Sequence, residues 1–342
     1  MQLLNTLYVT LPDAYLRLDN DTLRIEVERE TRLRVPLHHL TGVVCLGNVG
    51  FSTPLVHRLA DEGIALVLLD EHGRFKARIE GAVSGNILLR QAHHAKALDP
   101  AFALDTARAI VAGKIRNARQ VLLRGAREAK SESDAAQLAR GADDLAASLR
   151  ALPQASTLDE IRGFEGEAAR RYFERISLLV RPDARDDFRM DRRSRRPPRD
   201  RFNALLSFLY SMWMNDCRSA AEAAGLDPQL GFLHAVRPGR AALALDLLEE
   251  FRPLAERLAL TLINRGQVTA GDFVEREGGA VLLDGDARKS VVTAYQERKK
   301  EELAHPLLAQ PMMLGLIPLV QARLLARTIR GETEGYVPYL MR

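Results

Sequence analysis

A change of hydrophobic period near residue 90 constrains this chain more than any other feature. Up to Ile79 the apolar residues fall in short runs, Leu3–Val9, Tyr15–Leu18, Leu23–Val27, Leu33–Val35 and Val43–Leu46. Several of these alternate with polar residues, as half-buried strands do. Asp19-Asn20-Asp21 between two of the runs is turn chemistry. Thr53–Glu62 reads as a short helix capped by Ser52 or Thr53, Ala65–Leu69 as a buried strand, and Phe75–Ile79 as the strand that closes the sheet. From Pro100 onward the apolar residues take helical spacing. The pattern predicts an α+β chain: an N-terminal β-sandwich domain over residues 1–90, then a mainly α-helical domain over residues 91–342. The change falls between Gly81 and Asp99, around Ser84-Gly85-Asn86. With 342 residues, of which 46% are hydrophobic, each part can bury a core of its own.

The helical part resolves into segments. Asp105–Arg124 carries Ala109, Ala112, Ile115 and Leu122 at helical spacing, with basic residues among them. Lys130–Arg140 is polar and Ala-rich, a linker or an exposed helix. Thr157 with Glu160 forms a capping-box pattern, so a helix starts at Leu158. Arg181–Arg201 is rich in Pro and Arg and reads as irregular. Arg201–Ala224 is a long helix stopped by Gly225-Leu226-Asp227-Pro228. Ala241–Leu262 is another, bent near Pro253. The Gly278-Gly279 pair suggests a hairpin, and Ala287–Leu303 and Leu314–Ile329 complete the helices.

Net charge is only +4, so no polyanion can be inferred as partner from the total; clustering of basic residues carries that information instead. Cys45 and Cys217 stand far apart without a CxxC neighbour, which excludes a cysteine metal knuckle and a disulfide framework and fits a reducing cytoplasm. The N-terminus lacks the pattern of an export signal, and no run of about 18 apolar residues offers a membrane span. GxSxG, GxxxxGK[ST] and GxGxxG are all absent, so a hydrolase elbow, a P-loop and a dinucleotide fold have no local signature.

Chemistry concentrates between Ile161 and Pro253. On a helix, Glu165 shares a face with Ala168, Ala169 and Tyr172, whereas Glu167 points away toward Arg171 at i+4. Glu167 is therefore an ion-pair residue, and Glu165 faces inward and needs a partner. His234 follows an apolar run and precedes a loop holding Pro238 and Gly239. Asp246 and Glu249 lie one turn apart on the next helix, with Glu250 one step round. A carboxylate from one helix, a histidine from a loop and a carboxylate from another helix can supply three ligands to a divalent ion. The oxygens suit Mg²⁺ or Mn²⁺, and the imidazole makes Mn²⁺ acceptable. Alternatively the acids merely pair with Arg237, Arg240 or Arg252. Between the ligand segments run Arg189, Arg192, Arg193, Arg195, Arg196, Arg199 and Arg201, whose guanidinium forks match phosphate oxygens. His38-His39 and His93-His94 lack ligand spacing and read as surface or turn residues; Tyr210 and Trp213 read as core. Lys289, Arg298, Lys299 and Lys300 form a basic or solvated helix face.

Three ordered motifs, GFEGEAARRYF, RRPPRDRFNALLSFLYS and GFLHAVRPGRAALALDLLEEFRP, resemble the CRISPR-associated spacer-acquisition integrases, the first core Cas protein family. GKIRNARQVLLR from Gly113 to Arg124 and the β-rich first part are similar too. The LALDLLEEFRP form looks most like the subtype I-C members. The resemblance implies a β-sandwich used for dimerisation, a helical catalytic domain, and a metal triad of Glu165, His234 and Glu249 with Asp246 close by. It further implies a homodimer that acts with the family's small companion adaptation protein on spacer precursor and CRISPR repeat DNA. The implied reaction is attack of a DNA 3′-hydroxyl on a phosphodiester at the repeat border. Arg192, Arg193, Arg195, Arg196 and Arg199 would hold the DNA, and Asn203 or Tyr172 would orient the site. The bland counterpart is a non-catalytic nucleic-acid-binding scaffold whose acids only pair with arginines.

Overall fold

The computed structural model describes residues 6–40, 42–70, 75–82, 87–194 and 197–341. Strands β1 (Thr6–Val9), β2 (Tyr15–Asp19), β3 (Thr22–Val27), β4 (Glu30–Pro36), β5 (Gly42–Leu46) and β6 (Gly50–Phe51) are followed by helix α1 (Thr53–Asp61), β7 (Ala65–Leu69) and β8 (Phe75–Ile79). Leu3–Asn5 of the first expected strand and Ser84-Gly85-Asn86 lie outside the described residues. The contacts divide the chain into one compact unit of Met1–Gly85 with Gly285–Thr293 and a second of Asn86–Asp284 with Ala294–Arg342.

In the first unit the strands form two sheets, β1-β5-β7-β8 and β4-β3-β2-β6. Strands β1, β5 and β7 are parallel, and β5 and β7, GVVCL and ALVLL, are almost continuously apolar because a central parallel strand is covered on both faces. In β2 and β3 the alternation is clean. Leu16, Leu23 and Ile25 face a core shared with Val43, Leu66 and α1, while on the other face Glu26 pairs with Arg17 across the strands and with Arg24 along β3. Two turns use non-glycine residues at positive φ: Asn20 in the β2–β3 connection, and Glu28 with Arg29 between β3 and β4. The short strand β6, two residues long and parallel to β2, has no signal in the sequence.

The second unit comprises α2 (Ile87–Leu98), α3 (Pro100–Glu128), α4 (Glu132–Ala151), α5 (Leu158–Ile176), α6 (Arg201–Ala223), α7 (Ala242–Asn264), the hairpin β9 (Phe273–Arg276) and β10 (Ala280–Leu283), α8 (Gly285–Lys300), the pair β11 (Glu302–Ala304) and β12 (Pro311–Met313), and α9 (Ile317–Ile329). The first half of α8 belongs to the other unit. Of the two readings of Lys130–Arg140, a linker or an exposed helix, the helix holds: the segment opens the twenty-residue α4, which is packed on one side. Ser131 caps α4, and Leu138, Ala142 and Leu145 pack inward against α3 and α5. Helix α2 and the β11–β12 pair were not legible. In α2 Ile87, Leu88 and Leu98 are exposed and mark no inward face, and β11 and β12, at three residues each, are too short to show a period.

Helix α7 is the spine of this unit. It packs on α3 and α6, and nearly every residue from Ala242 to Ile263 is buried, so its sequence is apolar on all sides apart from the charges that serve the site. Trp213 of α6 stacks on Phe251 of α7 at 5.3 Å and meets Tyr295 edge-on, which confirms its place in the core. Lys299 is not on a solvated face. It is 6% exposed and bonds Asp216 at 2.6 Å, where Tyr295 also donates. His93 is likewise no surface residue. It is fully buried, because α2 turns it toward the loop that follows α6.

Candidate active site

The loop 226–241 starts where Gly225, at φ +81, ends α6. It is held at four points. His93 Nε2 lies 3.0 Å from the Leu230 carbonyl, and His93 Nδ1 accepts from the Asp227 N–H at 3.3 Å. Arg162 of α5 donates twice to the Leu233 carbonyl, at 2.9 and 2.8 Å. The Pro228 carbonyl accepts the first free N–H groups of α7, from Leu243 and Ala244, in place of a side-chain cap. The fourth point is Asp246.

Asp246 is fully buried and accepts four hydrogen bonds. Its Oδ2 takes the N–H groups of Phe232 at 2.6 Å and Leu233 at 3.0 Å. Its Oδ1 takes the His234 N–H at 2.9 Å and stands 2.7 Å from His234 Nδ1. A carboxylate can only accept, so Nδ1 carries the proton and the lone pair of Nε2 is left facing outward. The approach is so close that a Cβ on Gly231 would stand 2.8 Å from Asp246 Oδ2 and 2.8 Å from the backbone of Ala242. Glycine there is a packing requirement.

His234 Nε2 points to Glu249, 3.8 Å from its Oε1. Glu249 is 3% exposed and receives Arg252 Nε at 2.8 Å. Its Oε2 has the Lys114 ammonium at 2.6 Å but no hydrogen bond of good geometry. The same ammonium bonds Glu165 Oε1, so Lys114 of α3 bridges the carboxylates of α5 and α7. Burial works to raise the Glu249 carboxyl, but Arg252 and Lys114 together hold it below the ordinary carboxylate range. Burial pulls the Lys114 ammonium down, and Glu249 and Glu165 more than reverse this. Side chains of Glu165 and His234 are 27% and 21% exposed, so one side of the cluster is open to a substrate.

Among the described residues, no group of three His, Cys, Asp or Glu side chains stands ready to hold a metal ion. The donors nonetheless suit a hard divalent cation: two carboxylates, one of them buried with an oxygen that lacks a well-formed hydrogen bond, and an imidazole whose free nitrogen faces the same carboxylate. What lies between the carboxylates is a cation, the lysine ammonium. Glu165, His234 and Glu249 are the side chains that would hold such an ion, with Asp246 orienting the imidazole through Nδ1.

The profile of the family described as CRISPR associated protein Cas1 matches residues 7–297. A CRISPR-associated endonuclease Cas1 of Moorella thermoacetica is 54% identical over 341 residues, 99% of each chain. The chain belongs to the Cas1 family. A second relative named as a Cas1 endonuclease, from Rhodospirillum rubrum, is 48% identical over 100% of this chain and 99% of its own. Among solved structures, a Cas1 protein from Thermotoga maritima superposes with a TM-score of 0.82 at 22% identity, over 97% of this chain and 99% of that one. A casposase bound to integration product gives 0.82 at 20% identity, over 98% and 93%. A chain of a Cas6-RT-Cas1–Cas2 complex gives 0.83 at 24% identity, over 98% of this chain and 36% of that one. At such identities the likeness is one of fold, a β-rich first part followed by a mainly helical second.

In this Cas1 chain the capping box of α5 is present with both reciprocal bonds, and Glu167 lies outward between Arg170 and Arg171. Glu165 faces inward beside Ala168, Ala169 and Tyr172. Among the described residues Glu250 pairs with no arginine. It is buried under the C-terminal segment, where Tyr336 Oη, Gln321 Nε2 at 2.9 Å and the Tyr339 N–H at 2.7 Å donate to it, and burial pushes its carboxyl up to about 7.

The arginine run divides. Arg192 is exposed. Arg193 turns inward over the Tyr210 ring and bonds Asn203 and Ser207, and Arg199 bonds the Gly278 carbonyl of the β9–β10 hairpin. Arg195 and Arg196 lie outside the described residues. Asn203 is committed to holding this segment and the start of α6.

Lys114 and Arg162 are not singled out by sequence as parts of the site; Arg252, named there as a pairing partner for the acids, does pair with Glu249. Lys114 had a signal: Ala107, Val111, Lys114, Ala118 and Val121 form one stripe at helical spacing, all buried except the half-buried lysine, and a lysine in such a stripe needs an acid.

Proposed function

We propose that this Cas1 chain is a metal-dependent DNA integrase and endonuclease that inserts spacer DNA into a CRISPR array. The 3′-hydroxyl of a captured fragment attacks a phosphodiester at the border of the repeat, once on each strand. A new P–O bond forms as the bond to the leaving 3′-oxygen breaks; the attacking hydroxyl gives its proton to solvent and the leaving oxygen takes one up. The observation that carries the reading is the grip of Asp246 on the 232–234 backbone and on His234 Nδ1, which presents Nε2 toward Glu249. Glu165, His234 and Glu249 would hold Mg²⁺ or Mn²⁺, which would supply polarisation of the scissile phosphate and offset charge on the attacking or leaving oxygen. Asp246 keeps His234 in the ligating tautomer, Arg252 steadies Glu249, and the exposed Arg192 meets the DNA backbone, with Arg195 and Arg196 as the further members of the lane.

The casposase bound to integration product and the Cas1–Cas2 complex among the fold relatives support DNA as substrate and a small companion protein as partner. Assembly as a homodimer through the N-terminal β-sandwich belongs to the same proposal. So do assignment to subtype I-C, on the LALDLLEEFRP motif, and a place in the reducing cytoplasm. Incubating the protein with half-integrated branched DNA and Mn²⁺, with and without chelator, tests the activity. Strand transfer that survives Glu165→Ala or His234→Ala sinks it. A non-catalytic scaffold is favoured by one observation, the pairing of Glu249 with Arg252 and Lys114, and it predicts DNA binding without metal-dependent strand transfer.

A further inference from the structure

Lys114 and Glu256 face the same cleft. The cleft is lined by Lys114, Glu165, Tyr172 and Glu256, with Ala168 and Pro253 between them. Glu256 lies two turns beyond Glu249 on α7 and is 2% exposed. Its Oε1 is taken by Tyr210 Oη at 2.5 Å, and the Tyr172 hydroxyl stands close to the same carboxylate without a hydrogen bond of good geometry. A buried carboxylate with no cation bonded to it is unfavourable. The cation lining the cleft is the Lys114 ammonium on its four-carbon stem, at present shared between Glu165 and Glu249.

A divalent ion held by Glu165 and Glu249 would claim the oxygens that Lys114 now bridges, and two cations cannot share that position. An ammonium displaced inside the protein needs another acid, because an unpaired buried charge is unfavourable. We propose that Lys114 is a displaceable placeholder: it bridges the two carboxylates in metal-free protein and crosses the cleft to Glu256 Oε2 when the metal binds. The proposal rests on the metal reading of Glu165, His234 and Glu249. Metal affinity is then set partly by two residues that never touch the ion, one that competes with it and one that receives the competitor.

The test is Mn²⁺ binding to chelator-stripped protein, followed by the paramagnetic resonance signal of free Mn²⁺, with melting curves in chelator and in Mn²⁺. Lys114→Met is expected to bind Mn²⁺ about tenfold more tightly than the parent, to melt lower in chelator and to gain more from Mn²⁺. Glu256→Gln is expected to bind about tenfold more weakly, and the deficit should vanish when Lys114→Met is also present, because nothing then has to be received. Should Lys114→Met not fold, Lys114→Gln serves in both comparisons. An unchanged or weaker affinity in the Lys114 variants, with binding by the parent intact, overturns the displacement. A Glu256→Gln deficit that is equal in both backgrounds, or absent from both, removes Glu256 as the receiver. Failure of the parent and of every variant to bind Mn²⁺ overturns the metal reading itself, and this inference with it.

Discussion

Asp246→Asn changes one atom and tests how the site is built. The amide keeps the volume, but whichever way it is turned its NH₂ meets two donors. It faces either Phe232 and Leu233 N–H at 2.6 and 3.0 Å, or His234 N–H and Nδ1 at 2.9 and 2.7 Å. Bonds to an ionised acceptor contribute about 1.5–3 kcal/mol each, so losing two at a fully buried position costs on the order of 4 kcal/mol. For a unit of this size each kcal/mol lowers Tm by about 2–4 °C, giving a drop of roughly 8–16 °C. Thermal unfolding followed by far-UV circular dichroism measures it, and hydrogen exchange at the amides of residues 232–234 locates it. Mn²⁺ affinity is expected to fall about 10–100-fold, since His234 loses the partner that sets its tautomer. A variant that melts within about 2 °C of the parent, with those amides still protected, refutes the claim that Asp246 holds this loop.

Other outcomes follow from features of the helical unit. Burial lowers the His93 imidazole from 6.5 to about 4, so it folds neutral and its contribution is complete above pH 6.5 and lost as pH falls toward 4. Roughly 2 kcal/mol should disappear between pH 6.5 and 5, and urea unfolding of His93→Gln should show a smaller loss over the same window. In Gly113→Ala the new Cβ meets Pro338 Cβ at 2.6 Å, so the C-terminal segment must shift; about 1–3 kcal/mol of stability and faster proteolysis near residue 338 are expected from denaturation and limited digestion. Glu165→Ala should abolish Mn²⁺ binding in titration calorimetry, whereas Glu167→Ala, whose carboxylate is outside with Arg170 and Arg171, should bind like the parent.

The helix-face argument needed only the 100° step, and it separated Glu165 from Glu167 correctly because α5 is regular across both residues. The capping box was legible for the same reason, since both of its partners lie within one turn. Asp246 was found as an acid on the right face, but its occupation by three consecutive backbone N–H groups was not, because the path of loop 226–241 is fixed by His93 and Arg162 from remote helices. His93 looked like half of a surface pair. Its burial depends on how α2 lies against α3 and α9, and no local pattern encodes that. The arginine run shows the limit of composition: seven arginines in thirteen residues read as one lane, yet Arg193 is needed inside, over Tyr210, to support the turn that starts α6.

Asn117 donates to the carbonyls of Glu250 and Tyr339 and accepts from the Met341 N–H, which joins α3, α7 and the last described residues across separations of 133, 222 and 224 positions. Contacts of such separation close late in folding. On the ribosome, Glu250 cannot receive the Tyr336 hydroxyl or the Tyr339 amide until those residues have left the exit tunnel, and until then the turn of α7 that bears Glu249 would have to bury an incompletely bonded carboxylate. Nascent chains should therefore lack an ordered centre around Glu249 until residues 336–339 have emerged.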